Sequence, residues 1–477
     1  MDTRHADAPT VPPDARTDRH LVFLVLAASQ IVFVLQFGMV AVALQDLTTD
    51  LRAPLRWSGW VLTMFQLGHV IALPLAGHLS DRFGTRRVLV GGLLVFAAAS
   101  AGCAFAPNVY FLILWRVLQG AAGGGLGPAG ASLLGEVYGA ARLRAIGFYA
   151  SLGPLGAILG PVVGGLLVEH GGWRWTFALN APMALAVALL GMLLFPRGAR
   201  RAAGPTDLPG VALIAIVVTS LVFALTELGR RDGVPSLPLV IGTFAAFAVS
   251  LGVLTRHERR AVTPVIDLDL LLRREFFCLN TIAFLFGAAW VGLSVMVPLF
   301  VQTVYGMSPA ESGVITAPRS ILMVISSSVW TWLLPRTGFR RPLVIGFIGY
   351  AGALTLVSMG LRDPVILGVP IATFWWAMGS VALGGVFFGL INPAMHNAGL
   401  DLAPDRIAAV AGLRGMFSVL GSTLGITVIV LIASRADDIG EGLRIGFVLM
   451  AVVILLATAF IAGVPAAPSG ERRADRV

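Results

Sequence analysis

The chain has no lysine, few charged residues of any kind and only two cysteines. Charged residues make up 12% of the 477 residues, about half of the roughly 25% that a soluble chain carries. Most of the surface must therefore face something other than water, which excludes an ordinary soluble fold. Cys103 and Cys278 both lie within apolar stretches, so the sequence predicts neither a disulfide framework nor a cysteine metal site.

Several functional signatures are also missing. The sequence contains no GxxxxGK[ST] motif, so we do not expect nucleotide-driven chemistry. The net charge of +9 does not indicate a nucleic-acid partner, because the arginines occupy short loops between apolar stretches. The histidines are scattered and give no metal-ligand spacing. We therefore expect no cofactor, no metal, no nucleic acid and no catalytic residues.

Long apolar stretches recur along the whole chain, in which 57% of residues are hydrophobic. Each is close to the roughly 20 residues that a helix needs to cross about 30 Å of hydrocarbon. The runs are continuous and do not alternate, which favours helices over barrel strands. We predict fourteen membrane spans, at residues 21–45, 58–80, 87–106, 109–133, 146–168, 173–195, 210–228, 236–255, 277–303, 310–334, 342–361, 367–397, 407–434 and 443–465.

The distribution of arginine predicts the orientation. With fourteen spans, 23 arginines fall on the side that holds both termini and 8 on the other side. Because positive residues accumulate on the cytoplasmic side, we predict a multi-pass protein of a bacterial cytoplasmic (inner) membrane with both termini in the cytoplasm. The polar residues 1–20 do not have the layout of a signal peptide, and we expect a disordered tail there.

The loop after the second span reads GHLSDRFGTRR at residues 77–87. Glycines permit its tight turns, and Asp81 can pair with Arg82, Arg86 or a helix terminus. We interpret it as a latch that breaks and reforms when two helix bundles rock, with Glu136 as part of the latch or as a proton carrier. It resembles the signature loop between helices 2 and 3 of the major facilitator superfamily; the alternative is a merely basic loop.

Two further spans carry motifs of this superfamily. In the fourth span, Arg116 must face protein or water, because an arginine near the bilayer centre costs about 2.5–3.5 kcal/mol on insertion scales. It resembles the superfamily's fourth-helix arginine, which implies a role in proton transfer or coupling. In the fifth span, Gly156 and Gly160 form a close-packing face and Pro161 removes a backbone donor. This stretch resembles the antiporter signature, which implies export; the alternative is a generic packing helix.

The resemblance extends over most of the chain, through residues 60–77, 173–182 and 412–425, to the fourteen-span drug:proton antiporter family. It implies an all-α polytopic membrane protein with the major facilitator fold, in which two six-helix bundles flank two inserted helices. The implied regions are a tail at 1–20, a first bundle at 21–195, an inserted helix pair and linker at 196–275, a second bundle at 276–465 and a tail at 466–477.

The chain departs from that family in its first span, where Gln36 replaces the usual aspartate and cannot titrate. Gln36 and Arg116 lie about 10–12 Å from the outer ends of their spans, so the two residues could meet at one depth. His69 and His396 are the titratable side chains deep in the membrane. Each is either a hydrogen-bonded structural residue or a site of proton coupling or substrate contact.

Arg116 and Arg319 lead to a hypothesis about the substrate. A buried unpaired charge is expensive, so one of these arginines could bind an anionic group of the substrate; the alternative is that carbonyl and amide groups satisfy both. We expect an apolar, aromatic cavity with a few polar anchors. Its candidate residues are Phe33, Phe37, Trp290, Trp330 and Phe388, with Gln30, Gln66, Asn280 and Asn392.

These observations predict a secondary active transporter that exports small amphiphilic organic compounds, such as drugs, antibiotics or secondary metabolites. We expect proton antiport with alternating access. The expected partners are the small-molecule substrate, protons and the lipid bilayer, and we expect a monomer. The alternatives are a lipid exporter, which the short connection at 305–311 disfavours, a proton-independent facilitator, and a sensor, for which a soluble output domain is missing.

Overall fold

A computed structural model describes the chain in ten stretches. They are residues 18–139, 145–146, 149, 152–196, 207–228, 236–261, 264–266, 268–366, 368–402 and 407–466. The predicted tails therefore lie outside the described residues, except for residues 18–20 and residue 466.

The described chain is almost entirely helical. Its helices are α1 Arg19–Asp50, α2 Leu55–Phe83, α3 Thr85–Ala104, α4 Val109–Gly124, α5 Leu126–Tyr138, α6 Leu152–Gly171, α7 Arg174–Ala178, α8 Asn180–Leu194, α9 Leu208–Leu228, α10 Leu237–Glu258, α11 Leu268–Leu271, α12 Arg274–Val291, α13 Val297–Tyr305, α14 Pro309–Thr337, α15 Arg340–Ser358, α16 Thr373–Leu402, α17 Ile407–Arg435 and α18 Ile439–Leu456. A π-helical turn, Gly292–Met296, joins α12 to α13, and a 3₁₀ helix, Ala457–Gly463, follows α18.

Twelve helical segments of the described chain are long and apolar enough to cross a membrane. This makes the protein an all-α, multi-pass membrane protein. Two more helices, α2 with 29 residues and α6 with 20, have similar lengths but are not among the twelve.

One predicted span begins in the wrong place. We expected a helix over 367–397, but the strands Val365–Ile366 and Val369–Pro370 form a short antiparallel hairpin, and α16 begins only at Thr373. Gly368 at the hairpin turn has a φ of 82°, which disfavours any residue with a side chain. Hydrogen bonds from the backbone N–H and the hydroxyl of Thr373 to Asp363 close the loop and lower the pKa of that carboxyl.

The long helices run back and forth between two ends of the bundle, which we name the Arg19 end and the Asp50 end after the two ends of α1. The Tyr138 hydroxyl donates to the Arg19 carbonyl at 3.0 Å, so the end of α5 lies beside the start of α1. Arg174 pairs with Asp50, so α7 begins at the opposite end.

Two helices are interrupted where a proline follows. Pro128 has no N–H to donate to the carbonyl of Gly124, four residues earlier, and α4 gives way to α5 at this point. Pro298 likewise leaves the carbonyl of Ser294 without its helical donor, and Ser294 lies in the π-helical turn. Such turns occur often at functional sites, and this one faces a buried arginine, described below.

The two halves of the chain repeat one packing scheme based on glycine. In the first half, a Cβ on Gly68 of α2 would clash with the backbone of α4, and one on Gly120 of α4 with the backbone of α2. In the second half, Gly385 of α16 packs as closely against the backbone of α14 at Arg319. Helix α1 packs on α6 as α12 packs on α17. The small residues let helix backbones meet where lipid supplies no hydrophobic drive.

The helices α9 and α10 pack against each other and, through α9, against α2 and α17. The Trp60 indole N–H donates to the Thr226 hydroxyl at 2.6 Å. At the Asp50 end, Arg435 Nε donates to the Leu228 carbonyl at 2.5 Å. The pair is therefore attached to one helix from each half of the chain.

Candidate substrate and coupling site

The two halves meet at a pair of stacked aromatic rings. Phe37 of α1 and Trp290 of α12 lie 5.8 Å apart between ring centroids, with 10° between their planes. The row of rings continues to Phe65 on one side, at 6.4 Å, and to Phe388 on the other, at 6.4 Å. The Trp290 indole N–H is buried and has no partner in the described part of the chain.

Four of the predicted cavity aromatics thus belong to one connected cluster, since Phe33 stacks on Phe65 at 5.7 Å. The His69 ring meets the edge of Phe33 at 5.2 Å and an interplanar angle of 87°. In the described part of the chain, Trp330 takes no part in the ring contacts.

Arg116 is completely buried in the first bundle. Its Nε donates to the Val61 carbonyl at 2.8 Å and its Nη1 to the Gln119 side-chain carbonyl at 2.6 Å. The guanidinium lies 4.0 Å from the Phe65 ring centroid, a cation–π contact. Its Nη2 has no partner among the described residues. Protein groups therefore satisfy most, but not all, of this charge.

Gln119 extends the network, because its amide donates to the Ser100 hydroxyl at 2.8 Å. Gln119 and Ser100 are not among the candidate residues predicted from the sequence. The spacing of three residues between Arg116 and Gln119 places both on one helix face, a signal that could have identified Gln119. No local pattern marks Ser100, which belongs to another helix.

Gln36 and Arg116 have separate partners. The side-chain amide of Asn180 donates to the Gln36 carbonyl at 2.5 Å, and both residues are fully buried. Asn180 also donates to the Thr176 carbonyl at 2.9 Å. Among the described residues we find no hydrogen bond between Gln36 and Arg116.

Arg319 is the corresponding buried arginine of the second half, with 5% of its surface exposed. Its Nη1 donates to the Ser294 hydroxyl at 2.8 Å, and its Nε is buried without a partner in the described part. Ser294 belongs to the π-helical turn that follows Trp290. A buried, incompletely satisfied arginine therefore lies beside the helical turn that follows the aromatic row.

The second half contributes a further basic pair, on α16 and α17. Arg414 Nη2 lies 2.8 Å from His396 Nδ1. Because an arginine can only donate, this ring nitrogen is the acceptor and the histidine is neutral. Asn392, four residues before His396 on the same helix, is half-buried. Two other predicted anchors have partners: Gln66 donates to the Ser422 hydroxyl at 3.0 Å, and Asn280 to the Phe276 carbonyl at 2.8 Å.

Helix α6 contacts both halves of the protein. A Cβ on Gly156 would lie 2.8 Å from Val34 Cβ, and one on Gly160 would lie 2.8 Å from the Leu35 carbonyl oxygen. On its other side, the backbone at Pro161 lies so close to Gly313 of α14 that a Cβ there would clash.

Hydrogen bonds between the two halves occur near the middle and at the Asp50 end of the described structure. At that end, Glu169 of α6 accepts from the Ser308 hydroxyl at 2.9 Å and from the Ala310 amide at 3.1 Å. Gln302 of α13 donates to the Val42 carbonyl of α1 at 3.1 Å. The structure is thus closed at its Asp50 end.

The predicted latch residues lie at the Arg19 end. Arg86 donates to the Met192 carbonyl, and the Arg82 guanidinium lies 5.3 Å from the centroid of the neighbouring Phe83 ring. The exposed Glu136 accepts from the Thr85 hydroxyl at 3.4 Å, so it lies beside the turn between α2 and α3. The Asp81 side chain is outside the described residues, and its pairing stays a prediction.

Comparisons with solved structures agree with this architecture. A bacterial homologue of the human lysosomal transporter Spinster, in an inward-facing and unoccupied conformation, aligns over 93% of this chain and 96% of its own, with a TM-score of 0.64 and 18% identity. A D-xylose–proton symporter aligns over 94% of this chain and 98% of its own, with a TM-score of 0.67 and 14% identity. Identities this low show the fold alone, which is the predicted all-α transporter fold.

Sequence comparisons are more specific. The Multidrug transporter protein MdtP of Bacillus subtilis is 29% identical over 420 residues, which cover 87% of this chain and 75% of that protein. The Tetracenomycin C resistance and export protein of Streptomyces glaucescens is 30% identical over 420 residues, covering 87% and 76%. The profile of the Major Facilitator Superfamily matches residues 26–361 and 279–476.

Together, the two matches of this profile cover residues 26–476. They confirm the resemblance to the major facilitator superfamily that the loop at 77–87 and the fourth and fifth spans indicated. They also confirm the expectation of a transporter and not an enzyme. The chain belongs to the Major Facilitator Superfamily.

Proposed function

We propose that this transporter exports small amphiphilic organic compounds across a bacterial cytoplasmic membrane by proton antiport. The observation that carries the proposal is the aromatic stack of Phe37 on Trp290 between the two halves, with the incompletely paired Arg319 beyond it. The names of its relatives, which include multidrug transport and antibiotic export, support this substrate class. The antiporter-like glycine helix α6 supports export over uptake.

We propose fourteen spans, in which α2 and α6 join the twelve apolar segments. Two six-helix bundles, at 21–195 and 276–465, would then flank the pair α9–α10 and the linker to residue 275. The excess of arginine on the side of the termini supports a cytoplasmic Arg19 end. The observed closure would accordingly face the outside, with the site accessible from the cytoplasm.

Transport would then require the contacts at the Asp50 end to break and those at the Arg19 end to form. The contacts of α6 with α14 are short-range backbone packing, which separates as a unit when the bundles rock. The loop at 77–87 and Glu136 are at the end that would close, which supports their role as a latch. Gly156, Gly160 and Pro161 would keep α6 packed on α1 during this motion.

The substrate we expect has a planar aromatic part and a polar or acidic group. The aromatic part would stack with Phe37 or Trp290, as aromatic rings do when their centroids lie about 4.5–7 Å apart. The Trp290 indole N–H and Asn392 would bind polar substituents. An acidic group would bind Arg319, whose Nε has no protein partner in the described part.

The proton carrier must be a residue other than Gln36, and His69, His396 and Glu136 are the candidates. His69 lies among the aromatic rings. With Nδ1 accepting from Arg414, the neutral His396 ring carries its proton on Nε2, which can donate to a substrate, and a second proton would have to displace Arg414 from Nδ1. The amide pair of Gln36 and Asn180, where the fourteen-span family carries an acid, favours a second candidate function, which is proton-independent facilitation.

The deciding experiment is transport in proteoliposomes that contain a pH-sensitive dye, challenged with cationic and anionic aromatic compounds. We expect substrate-driven proton movement in the wild-type protein. Substrate movement without protons, with coupling gained in Gln36→Asp, would instead identify a facilitator. Absence of transport of all compounds, in protein that remains folded, would contradict the export proposal.

A further inference from the structure

An acidic pair lies outside the transport pathway, at the Arg19 end of the inserted helices. Asp207 precedes α9, and its Oδ1 accepts the Gly210 N–H at 2.9 Å. The same oxygen lies 2.7 Å from His257 Nε2. Only 7% of the Asp207 side chain is exposed, and its Oδ2 is buried without a hydrogen-bond partner among the described residues.

Glu258, the last residue of α10, is the second member of the pair. It is 4% exposed. Its Oε2 accepts the Ile266 N–H at 3.1 Å, while its Oε1 is buried and has no partner that the structure describes. In the described part of the chain, each carboxyl group therefore keeps one oxygen without a hydrogen-bond partner.

The two unused oxygens border the same point. A Cβ on Gly210 would clash with Asp207 Oδ2 and would lie 3.1 Å from Glu258 Oε1. Because glycine has no side chain, nothing from position 210 separates the two oxygens. Two ionised carboxylates beside one buried point repel each other, whereas a single proton shared between two carboxyl oxygens forms a strong O–H···O⁻ bond.

We propose that Asp207 and Glu258 form a proton-binding site, in which one proton is held between Asp207 Oδ2 and Glu258 Oε1. The proton fills both unused positions at once, with one oxygen as donor and the other as acceptor. The site goes beyond the proposed export function, because neither residue belongs to the central row of rings and arginines.

The bound proton fastens three segments together. It joins the start of α9 to the end of α10, and Glu258 holds the linker through Ile266. Val265 and Ile266 pack on the cluster that contains Leu254 of α10 and Met416 of α17. Protonation thus fixes the linker against a helix of the second half.

Among the described residues, His257 is the one basic side chain that pairs with either carboxyl group. On the same segments, the exposed charged residues are Arg256, Arg259, Arg260 and Asp269. His257 faces Asp207 Oδ1, and Arg414 on α17 is bonded to His396. When pH rises and the shared proton leaves, repulsion between the carboxylates loosens the linker.

The direct test is infrared spectroscopy of the purified full-length protein at neutral pH, with isotope-labelled Asp and Glu. We expect the band of a protonated carboxylic acid, lost in both Glu258→Gln and Asp207→Asn and kept in the matched control Asp269→Asn. A band absent from the wild type, unaffected by both substitutions, or lost in only one variant overturns the shared site.

The second test is hydrogen exchange of the Ile266 amide as a function of pH. Gln at position 258 imitates the protonated acid, since its amide can donate to Asp207 while its carbonyl accepts from Ile266. We expect wild-type protection to fall below that of Glu258→Gln as pH rises, and to match it at low pH. Equal protection at every pH contradicts the proposal. Neither measurement uses a transport substrate, so a failure here is distinct from a failure of the export proposal.

Discussion

The side chain of Asn180 donates to that of Gln36 at 2.5 Å in the interior of the first half. The bond uses Asn180 Nδ2 and Gln36 Oε1, and Gln36 Nε2 and Asn180 Oδ1 have no hydrogen-bond partner among the described residues. The amide thus occupies, with a defined hydrogen bond, the place where the fourteen-span family carries an acid. A carboxylate there would accept the same bond and would also titrate.

We therefore predict that Gln36→Glu, which keeps the length of the side chain, preserves the bond with Asn180 and adds one titrating group. The expected result is an increase of about one in the protons moved per substrate molecule, because only the new carboxylate can release a proton. The measurement is the ratio of proton flux to substrate flux in proteoliposomes. An unchanged ratio in a folded variant means that position 36 is not on the coupling path.

Arg116 provides a test of positioning. In Gln119→Leu the guanidinium loses the bond from Nη1, while the bond to Val61 and the contact with Phe65 remain. A hydrogen bond to a charged group is worth about 1.5–3 kcal/mol, so we expect a roughly tenfold or greater loss of transport rate. Arg116→Lys should lose more, since an ammonium group cannot donate in two fixed directions and stack on a ring.

The control for the variants Gln119→Leu and Arg116→Lys is thermal unfolding. If both variants lose transport and also unfold at much lower temperature, the arginine is a structural residue of the first half. Retained stability with lost transport supports a role in coupling. Wild-type transport in Arg116→Lys would exclude any need for the guanidinium geometry.

The sequence predicted the architecture well where its signals are local. Arg116, Gly156 and the loop at 77–87 could be recognised because each motif is contiguous in the sequence. An arginine in a span must face protein or water, and a glycine there allows close helix packing. The start of α16 was missed because residues 367–372 are apolar enough for a span, while Gly368 and Pro370 favour a hairpin.

The partners of the site residues could not be predicted, because they are distant in sequence. Asn180 lies 144 positions from Gln36, and Ser294 lies 25 positions from Arg319. Depth along a helix indicated that Gln36 could reach Arg116, but depth says nothing about which face of the helix a residue occupies. Only the packing of the helices gave each residue its partner.

Arg319 allows a prediction that separates substrates by charge. Arg319→Ala removes the cation that has only Ser294 as its hydrogen-bond partner in the described part. We expect the apparent affinity for anionic compounds to fall about 10- to 100-fold, as for the loss of a hydrogen bond to a charged group. Cationic compounds of the same size should be affected much less.

The matched control is Ser294→Ala, which keeps the charge and removes the hydrogen bond. It should change the affinity for anions less than Arg319→Ala does. Competition assays with pairs of aromatic compounds that differ only in charge would measure both effects. If Arg319→Ala left transport of every anionic compound unchanged, the arginine would have no role in substrate binding.

The contact between α6 and α14 predicts how to open the Asp50 end. A Cβ on Gly313 would clash with the carbonyl oxygen of Pro161, so Gly313→Ala must push the two helices apart. Overpacking of this kind costs about 1–3 kcal/mol, which shifts a two-state equilibrium by about tenfold for each 1.4 kcal/mol. The cost falls on the state that is closed at the Asp50 end, so the opposite state gains population.

Gly352→Ala is the matched control, because a Cβ there meets nothing within 4 Å. Distances between spin labels at His170 and Val314, in a cysteine-free background, should lengthen in Gly313→Ala alone. Lengthening in both variants would indicate a general loss of helix packing, and unchanged distances in Gly313→Ala would mean that this contact does not control the closure.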